Sequence, residues 1–375
     1  MLILWIPLGI FLLYWLWQRI FLEIWDKGLS AVLTFKERAV TEGETATLIY
    51  EVTNRKRLPL PVVRLQFAMS SGLVAEDNPN ASVSDRTNVV EYFTLGGYEA
   101  VTREQDLTAK KRGYYQILGT SFVVPGLFDR RAGYKDITQF TDLYVQPKML
   151  PADAMDDAWE QILGEVIARK RLYEDVFTFR GIREYAPSDP MRSVNWKASA
   201  RAGQLMVNLR EHTSGQEIRI LLNLEEPAVY YDPEILEYSI RLAFTLAGRC
   251  IDGRIPVGLI SNGRDCMTDQ EIRIAGGGSP EHLGTIAEAL TRVALEKGAS
   301  PFFELVENEA LTERAENVTY CLISSSRDGR LMKAAGRLAS AQGGLLWLCP
   351  LMESMLDVAV PANVHFIRMD WSRAR

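Results

Sequence analysis

The hydrophobic pattern begins with an apolar run over residues 1–17, MLILWIPLGIFLLYWLW, which carries no charged side chain. IFLEIW continues it after Gln18 and Arg19. A helix of roughly 17 to 25 residues is about 26 to 38 Å long, which brackets a hydrocarbon core of about 30 Å. A cleaved signal peptide would need a basic start and a small-residue cleavage site, and both are missing. The run therefore predicts a transmembrane anchor over residues 1–25, rather than a signal peptide or a buried core helix.

Basic residues predict the orientation of this anchor. Arg19, Lys27, Lys36 and Arg38 follow the run, and no basic side chain precedes it. The positive-inside rule then places the N-terminus outside the cell membrane and the later domains in the cytoplasm. The four widely spaced cysteines agree with a reducing compartment.

Residues 29–150 alternate between apolar and polar positions, as half-buried strands do. Turn-forming clusters of Gly, Pro, Asn and Asp separate seven or so such segments, and no long helical pattern interrupts them. This region is predicted to be an antiparallel β-sandwich domain.

The period changes after Pro147 and Pro151. Residues 153–172 place apolar side chains at helical spacing, and Asp153 is a candidate N-cap. The rest of 151–217 is polar and is predicted to be irregular. From 218 to 375, continuous apolar strands alternate with amphipathic helices, which predicts a doubly wound α/β domain.

Composition narrows the possible functions. The chain has 375 residues and a formal net charge of −6, which suits two or three globular domains and disfavours nucleic acid as the main partner. It contains no P-loop, nucleophile-elbow or zinc-protease motif, and its three histidines are widely separated. Gly276-Gly277-Gly278 is interpreted as a flexible turn rather than a phosphate cradle. The sequence therefore predicts a protein that is not an enzyme and has no cofactor or metal.

The segment 179–201, FRGIREYAPSDPMRSVNWKASAR, interleaves basic, acidic and aromatic residues. It is either a self-satisfied network that fixes an irregular segment or a basic, aromatic surface that docks another protein; a nucleic-acid patch is the third alternative. Asp189 is expected to pair with Arg183 or Arg201, and Trp196 is expected to be buried. The candidate interaction residues are Arg183, Tyr185, Asp189, Arg192, Asn195, Trp196 and Arg201.

This segment also resembles a known family. The run from Gly181 to Arg201 is similar to the signature of the bacterial membrane proteins called domain of unknown function 58, and residues 110–131 resemble another segment of that family. Ser188 departs from the pattern, in which Gly usually precedes the Asp. The resemblance implies a von Willebrand factor A-like domain after the signature. It also implies MoxR-type AAA+ ATPases and other membrane proteins of the same operon as partners.

A von Willebrand factor A domain often holds Mg²⁺ through Asp-x-Ser-x-Ser after its first strand. Here the corresponding run is Asn223-Leu224-Glu225-Glu226-Pro227. Proline offers no side-chain oxygen and Asn223 removes a charge, so the implied metal site is degenerate; Asn223, Glu225 and Ser324 are its remaining oxygen ligands.

These observations favour a membrane-anchored, non-enzymatic scaffold or assembly factor that works with a MoxR-type AAA+ ATPase. Two alternatives stay open. One is a metal-dependent ligand-binding A domain, and the other is a hydrolase that uses Asp189 or Glu184 with Arg183.

Overall fold

The chain forms two compact units, Met1–Lys148 and Met149–Arg375. The computed structural model describes residues 2–70, 72–75, 82–83, 86–125, 132–172, 179–186, 189, 191, 194–210, 216–225, 233–312, 317–351 and 360–370.

Helix α1 (Leu2–Ile24) opens the first unit. Apolar side chains between Ile10 and Trp17 are exposed, but Arg19 and Glu23 form an ion pair on its last turns, and Phe21 is buried in the core of the strands that follow. Along the chain that the structure describes, no helix combines the length and the apolar character needed to cross a membrane. The fold class with a transmembrane anchor over 1–25, and the localisation as a single-pass membrane protein with its later domains in the cytoplasm, are therefore wrong.

The rest of the first unit is a β-sandwich. Its strands are β1 (Leu29–Phe35), β2 (Ala39–Thr41), β3 (Thr45–Asn54), β4 (Leu60–Ser70), β5 (Leu73–Val74), β6 (Ser82–Val83), β7 (Arg86–Leu95), β8 (Ala100–Ala109), β9 (Gly113–Gln116), β10 (Leu118–Pro125), β11 (Ala132–Asp136) and β12 (Asp142–Gln146). They form sheets of order β1-β3-β8-β5, β11-β10-β4-β7-β6 and β2-β12-β9. The pairs are antiparallel except β2 with β12, which is parallel.

Alternation explains why these segments become strands. In β1 and β3 every second side chain is buried, and β4 alternates in the same way over its second half. Leu48, Leu65 and Phe93 meet in one apolar core between the sheets. Because successive side chains of a strand point to opposite faces, this period encloses a core and leaves the other face polar.

The second unit begins with a 3₁₀ turn over Ala152–Ala154 and then α2 (Asp156–Leu172). The α-helix therefore starts after Asp153, so the predicted cap is wrong. The segment predicted to be irregular contains β13 (Phe179–Glu184), α3 (Trp196–Ala202) and β14 (Met206–Arg210).

A six-stranded sheet forms the centre of this unit. Its elements are β15 (Glu217–Leu222), α4 (Pro233–Asp252), β16 (Val257–Arg264), β17 (Glu271–Gly277), α5 (Pro280–Thr291), α6 (Phe302–Leu311), β18 (Val318–Ile323), α7 (Gly329–Gln342), β19 (Leu345–Leu351) and β20 (Val364–Asp370). The order is β17-β16-β15-β18-β19-β20, and only β17 runs antiparallel to its neighbour. This is the doubly wound order 3-2-1-4-5-6, with its reversal between β15 and β18.

Helices cover both faces of this sheet. Ile218, Ile220 and Leu222 pack with α2, α4 and α5 on one face. Leu221 and the buried Trp347 pack with α6 and α7 on the other. Strands that are buried on both faces have continuous apolar sequences, and the sequence therefore predicts these strands.

The glycine cluster has a different role from the flexible turn that was predicted. Gly276 and Gly277 lie within β17. A Cβ atom at Gly276 would approach the Glu217 carboxylate within 2.5 Å, and one at Gly277 would approach His282 Nδ1 within 2.6 Å. These glycines therefore allow close packing at the edge of the sheet.

Candidate docking surface

The signature segment folds as a small antiparallel ribbon with a helix beside it. Arg183 of β13 lies opposite Val207 of β14, and Val194 bridges the same Val207. Val194 and Val207 are buried, while Ile182 and Leu205 are exposed. The ribbon is therefore held by a small apolar contact, and of its side chains that the structure describes, Ile182, Arg183 and Glu184 are exposed.

Both ends of α3 are fixed by capping. The Asn195 side-chain oxygen accepts a hydrogen bond from the Ala198 N–H at 2.9 Å, and Gly203 ends the helix in the left-handed region at φ 71°. Asn and Gly are the residue types that favour these two positions. Ser199 Oγ accepts from the Met206 N–H at 2.8 Å, so the inner side of α3 is also tied to β14.

The predicted ion pair of the signature is present. Two guanidinium nitrogens of Arg183 each donate to an Asp189 carboxylate oxygen at 2.7 Å, and Asp189 also accepts from the Ala186 N–H at 2.8 Å. The hydrogen bonds from Arg183 lower the pKa of Asp189, and the bond from the Ala186 N–H lowers it further by a smaller amount. We call residues 179–210 the module. Both of its acidic side chains have a donor within it, because Gln204 Nε2 donates to Glu184 Oε1 at 2.6 Å.

The expected burial of Trp196 is wrong: its side chain is 63% exposed. At about 100° per residue, Trp196, Ala200, Lys197 and Arg201 cover one contiguous arc of α3, about 140° wide. All four are exposed. We call this group the α3 face. Ser199, which is hydrogen-bonded to Met206 of β14, lies outside this arc, and the exposure of Trp196 shows that most of its ring surface is in solvent.

Lys197 and Arg201 are the two cations of the α3 face. Within the ranges that the structure describes, neither Lys197 nor Arg201 forms an ion pair. The structure thus places Trp196 and Arg201 on α3 with Asn195 as its cap. Arg183 lies on β13, and Asp189 lies between β13 and α3. Tyr185 is half-buried and bonds through its backbone N–H to the Leu205 carbonyl, and Arg192 lies outside the described residues. Lys197 was not selected from the sequence, although its four-residue spacing from Arg201 was a usable signal.

A second polar cluster lies where the strand order reverses, at the carboxyl ends of β15, β16 and β18. Asn223 Nδ2 donates to Ser324 Oγ at 2.9 Å, and Asn223 Oδ1 accepts the Glu225 N–H at 2.9 Å. Asn262 Oδ1 accepts from the Leu224 N–H at 2.8 Å. We call Asn223, Asn262 and Ser324 the switch-point clasp; all three are buried.

The clasp does not fit the Mg²⁺ that a von Willebrand factor A-like fold implies. Hard cations need converging oxygen ligands, but an amide N–H₂ of Asn223 is directed at Ser324. The carboxylate of Glu225 accepts from the Phe302 N–H at 3.1 Å. Over the described part of the chain, no group of three or more His, Cys, Asp or Glu side chains could hold a metal. The clasp therefore joins strands through hydrogen bonds that its neutral side chains make with one another and with the Leu224 and Glu225 N–H groups.

Comparisons with known proteins add little. No family model matches the chain, and no curated protein sequence matches it. Among solved structures, the sixth cohesin of scaffoldin B from Acetivibrio cellulolyticus, in complex with a Cel5 dockerin mutant, is similar at 7% identity. That match covers 32% of this chain and 100% of the cohesin chain, with a TM-score of 0.22.

Two further solved structures are similar at the same level. A non-cellulosomal cohesin from Archaeoglobus fulgidus matches at 11% identity over 31% of this chain and 91% of its own, with a TM-score of 0.22. The alkylpurine DNA glycosylase AlkC from Pseudomonas fluorescens matches at 12% identity. That match covers 33% of this chain and 32% of the glycosylase chain, with a TM-score of 0.20. Likeness this weak supports no statement about function, and the β-sandwich assignment rests on the strands themselves.

Proposed function

We propose that this chain is a non-enzymatic scaffold that binds a partner protein through the α3 face. The observation that carries the proposal is Trp196, an indole 63% exposed on a helix whose two ends and inner side are fixed. A large exposed aromatic on a rigid element loses little conformational entropy on binding, and tryptophan and arginine are the residues most enriched at binding hot spots.

The partner proposed here is a MoxR-type AAA+ ATPase. Its support is the resemblance of residues 181–201 to the domain of unknown function 58 signature, of which the α3 face is a part. The interaction is expected to be direct and to need no metal on this chain.

The two other candidate functions receive less support. A hydrolase would need Asp189 or Glu184 to be available to a substrate, and each already accepts a hydrogen bond within the module. A metal-dependent binding module would need oxygen ligands at the switch point, where the clasp directs an amide N–H₂ group instead. Neither arrangement favours a second function for this site.

Direct binding measurements test the scaffold. We expect the purified ATPase to bind the immobilised chain, and Trp196→Ala to weaken binding at least about tenfold, as loss of a central aromatic anchor does. Phe140→Ala is the matched control, because Phe140 is 91% exposed and lies in the other unit. Equal binding by the two variants would remove the α3 face from the interaction.

A further inference from the structure

The charges of the α3 face are not explained by the stability of the helix. Lys197 lies in the first turn of α3, where the positive end of the helix dipole disfavours a cation. Lys197 and Arg201 are also four residues apart, and like charges at this spacing repel each other on one side of a helix. Arg201 in the last turn is the favourable one of the two. Lys197 at this position thus lowers the stability of the isolated helix.

Neither neighbouring carboxylate that the structure describes forms an ion pair with Lys197 or Arg201. Asp189 is held by two nitrogens of Arg183 at 2.7 Å, and Glu184 accepts from Gln204. Within the described residues, the module therefore satisfies its acidic groups internally and leaves two cations beside an exposed indole. This arrangement presents positive charge on a chain whose formal net charge is −6.

We propose, on the basis of the scaffold function, that the α3 face binds an acidic segment of the partner protein. Two carboxylates of that segment pair with Lys197 and Arg201, and an apolar side chain next to them packs on the Trp196 ring. Side chains four apart on a helix have Cβ atoms about 5–6 Å apart. Acidic residues at i and i+4 of a helix match this spacing, and i and i+2 of an extended segment come close to it at about 6.8 Å.

Charge distribution favours a protein ligand over a nucleic acid. Net negative charge repels a long polyanion at distances beyond direct contact, whereas a short acidic segment interacts mainly with the local cations. The indole can pack against an apolar side chain of that segment; because nucleobases also stack on indoles, the preference for a protein ligand rests on the net charge. Binding is expected to weaken as salt is raised, because exposed charges are screened over about 10 Å at 0.1 M.

The test uses the whole chain and a defined probe. The probe is a short fluorescent peptide that carries glutamates four residues apart on both sides of one phenylalanine, and the matched peptide has glutamine in place of each glutamate. We expect saturable binding of the glutamate peptide, and binding at least about tenfold weaker for the glutamine peptide. The double variant Lys197→Glu with Arg201→Glu should weaken the glutamate peptide to a similar extent.

Two control variants separate face-specific effects from general ones. Lys333→Glu changes another exposed lysine, on α7, and should leave the affinity unchanged. Lys197→Gln, which removes charge without reversing it, should give an intermediate loss and guards against misfolding of the double variant.

Three other outcomes would overturn the inference, and each would point to a different explanation. If both peptides bind equally well and Trp196→Ala weakens the binding of both, the α3 face is a docking surface but does not recognise acidic residues. A single-stranded oligonucleotide that competes at lower concentration than the peptide would assign the face to polyanions. If the glutamate peptide shows no saturable binding, acidic recognition is rejected but the scaffold function is not. The ATPase measurement with Trp196→Ala tests the scaffold function independently.

Discussion

Two tryptophans of the second unit lie in opposite environments. Trp347 is fully buried in β19, and its indole N–H donates to the Ser324 carbonyl at 2.9 Å. Trp196 is 63% exposed, and no hydrogen bond is described for its ring nitrogen. Side-chain burial, not residue type, therefore determines what each contributes to stability or binding.

Substitution of these two residues should separate stability from binding. We expect Trp196→Ala to change the free energy of unfolding by no more than about 0.5 kcal/mol, as exposed positions usually do. Trp347→Ala should cost about 3–5 kcal/mol, because it creates a cavity and leaves a buried carbonyl without its donor. Urea denaturation of both variants checks this. A large loss for Trp196→Ala would mean that its ring packs within the folded protein.

The environment of Trp196 could not be derived from the sequence. Helix α3 has 7 residues, so it completes only about two turns and offers no repeated apolar period to mark its buried side. The inner side carries Ala198 and Ser199, which are small and give no hydrophobic signal. By contrast, the sequence narrowed the partner of Asp189 to Arg183 or Arg201, and the structure shows Arg183, which is six residues away.

At the scale of elements, short segments depend on their ends. Asn195 and Gly203 delimit α3, and both are residue types that the sequence displays. The pairing of β13 with β14 was not visible, because residues 181–184 are surface positions without alternation. A strand that is exposed on both faces has no apolar pattern to predict it.

The cap at Asn195 makes a local prediction. We expect Asn195→Ala to cost about 0.5–2 kcal/mol of α3 stability, since the Ala198 N–H loses its acceptor. Asn195→Asp keeps an acceptor and should retain most of that stability. Hydrogen exchange measures the effect directly: the backbone amide of Ala198 should exchange faster in the alanine variant and remain slow in the aspartate variant. Unchanged exchange in both would show that β14 contacts alone hold the helix.

At the scale of the whole molecule, the alternation of strands and helices after residue 218 was visible because those strands are buried on both faces. Strand β17 was missed because its burial is irregular, and Gly276 and Gly277 in it were interpreted as a turn. The first helix was overinterpreted. Its apolar composition did not reveal that Phe21 packs with the sandwich strands, because that contact depends on residues far along the chain.

The switch-point clasp predicts that the second unit does not bind a divalent cation. Since Asn223 donates to Ser324 and Glu225 accepts from the Phe302 N–H, the oxygens that a divalent cation needs are already engaged. We expect no saturable Mg²⁺ or Mn²⁺ binding by calorimetry at millimolar concentration. The melting temperature and the ATPase affinity should be the same with EDTA as without it.

Substitution of the clasp should act through strand packing instead of metal loss. Asn223→Ala removes three side-chain hydrogen bonds, since Asn262 Nδ2 also donates to Asn223 Oδ1 at 3.4 Å. It leaves the buried Ser324 hydroxyl without that donor, which should cost about 1–3 kcal/mol whether or not Mg²⁺ is present. Glu225→Ala is the informative comparison, because its carboxylate would be a ligand in a metal site but is only a helix-end acceptor here. Micromolar Mg²⁺ affinity that disappears in Glu225→Ala would show that the carboxylate turns toward a cation, and the metal-dependent binding module would then replace the scaffold as the better account of this chain.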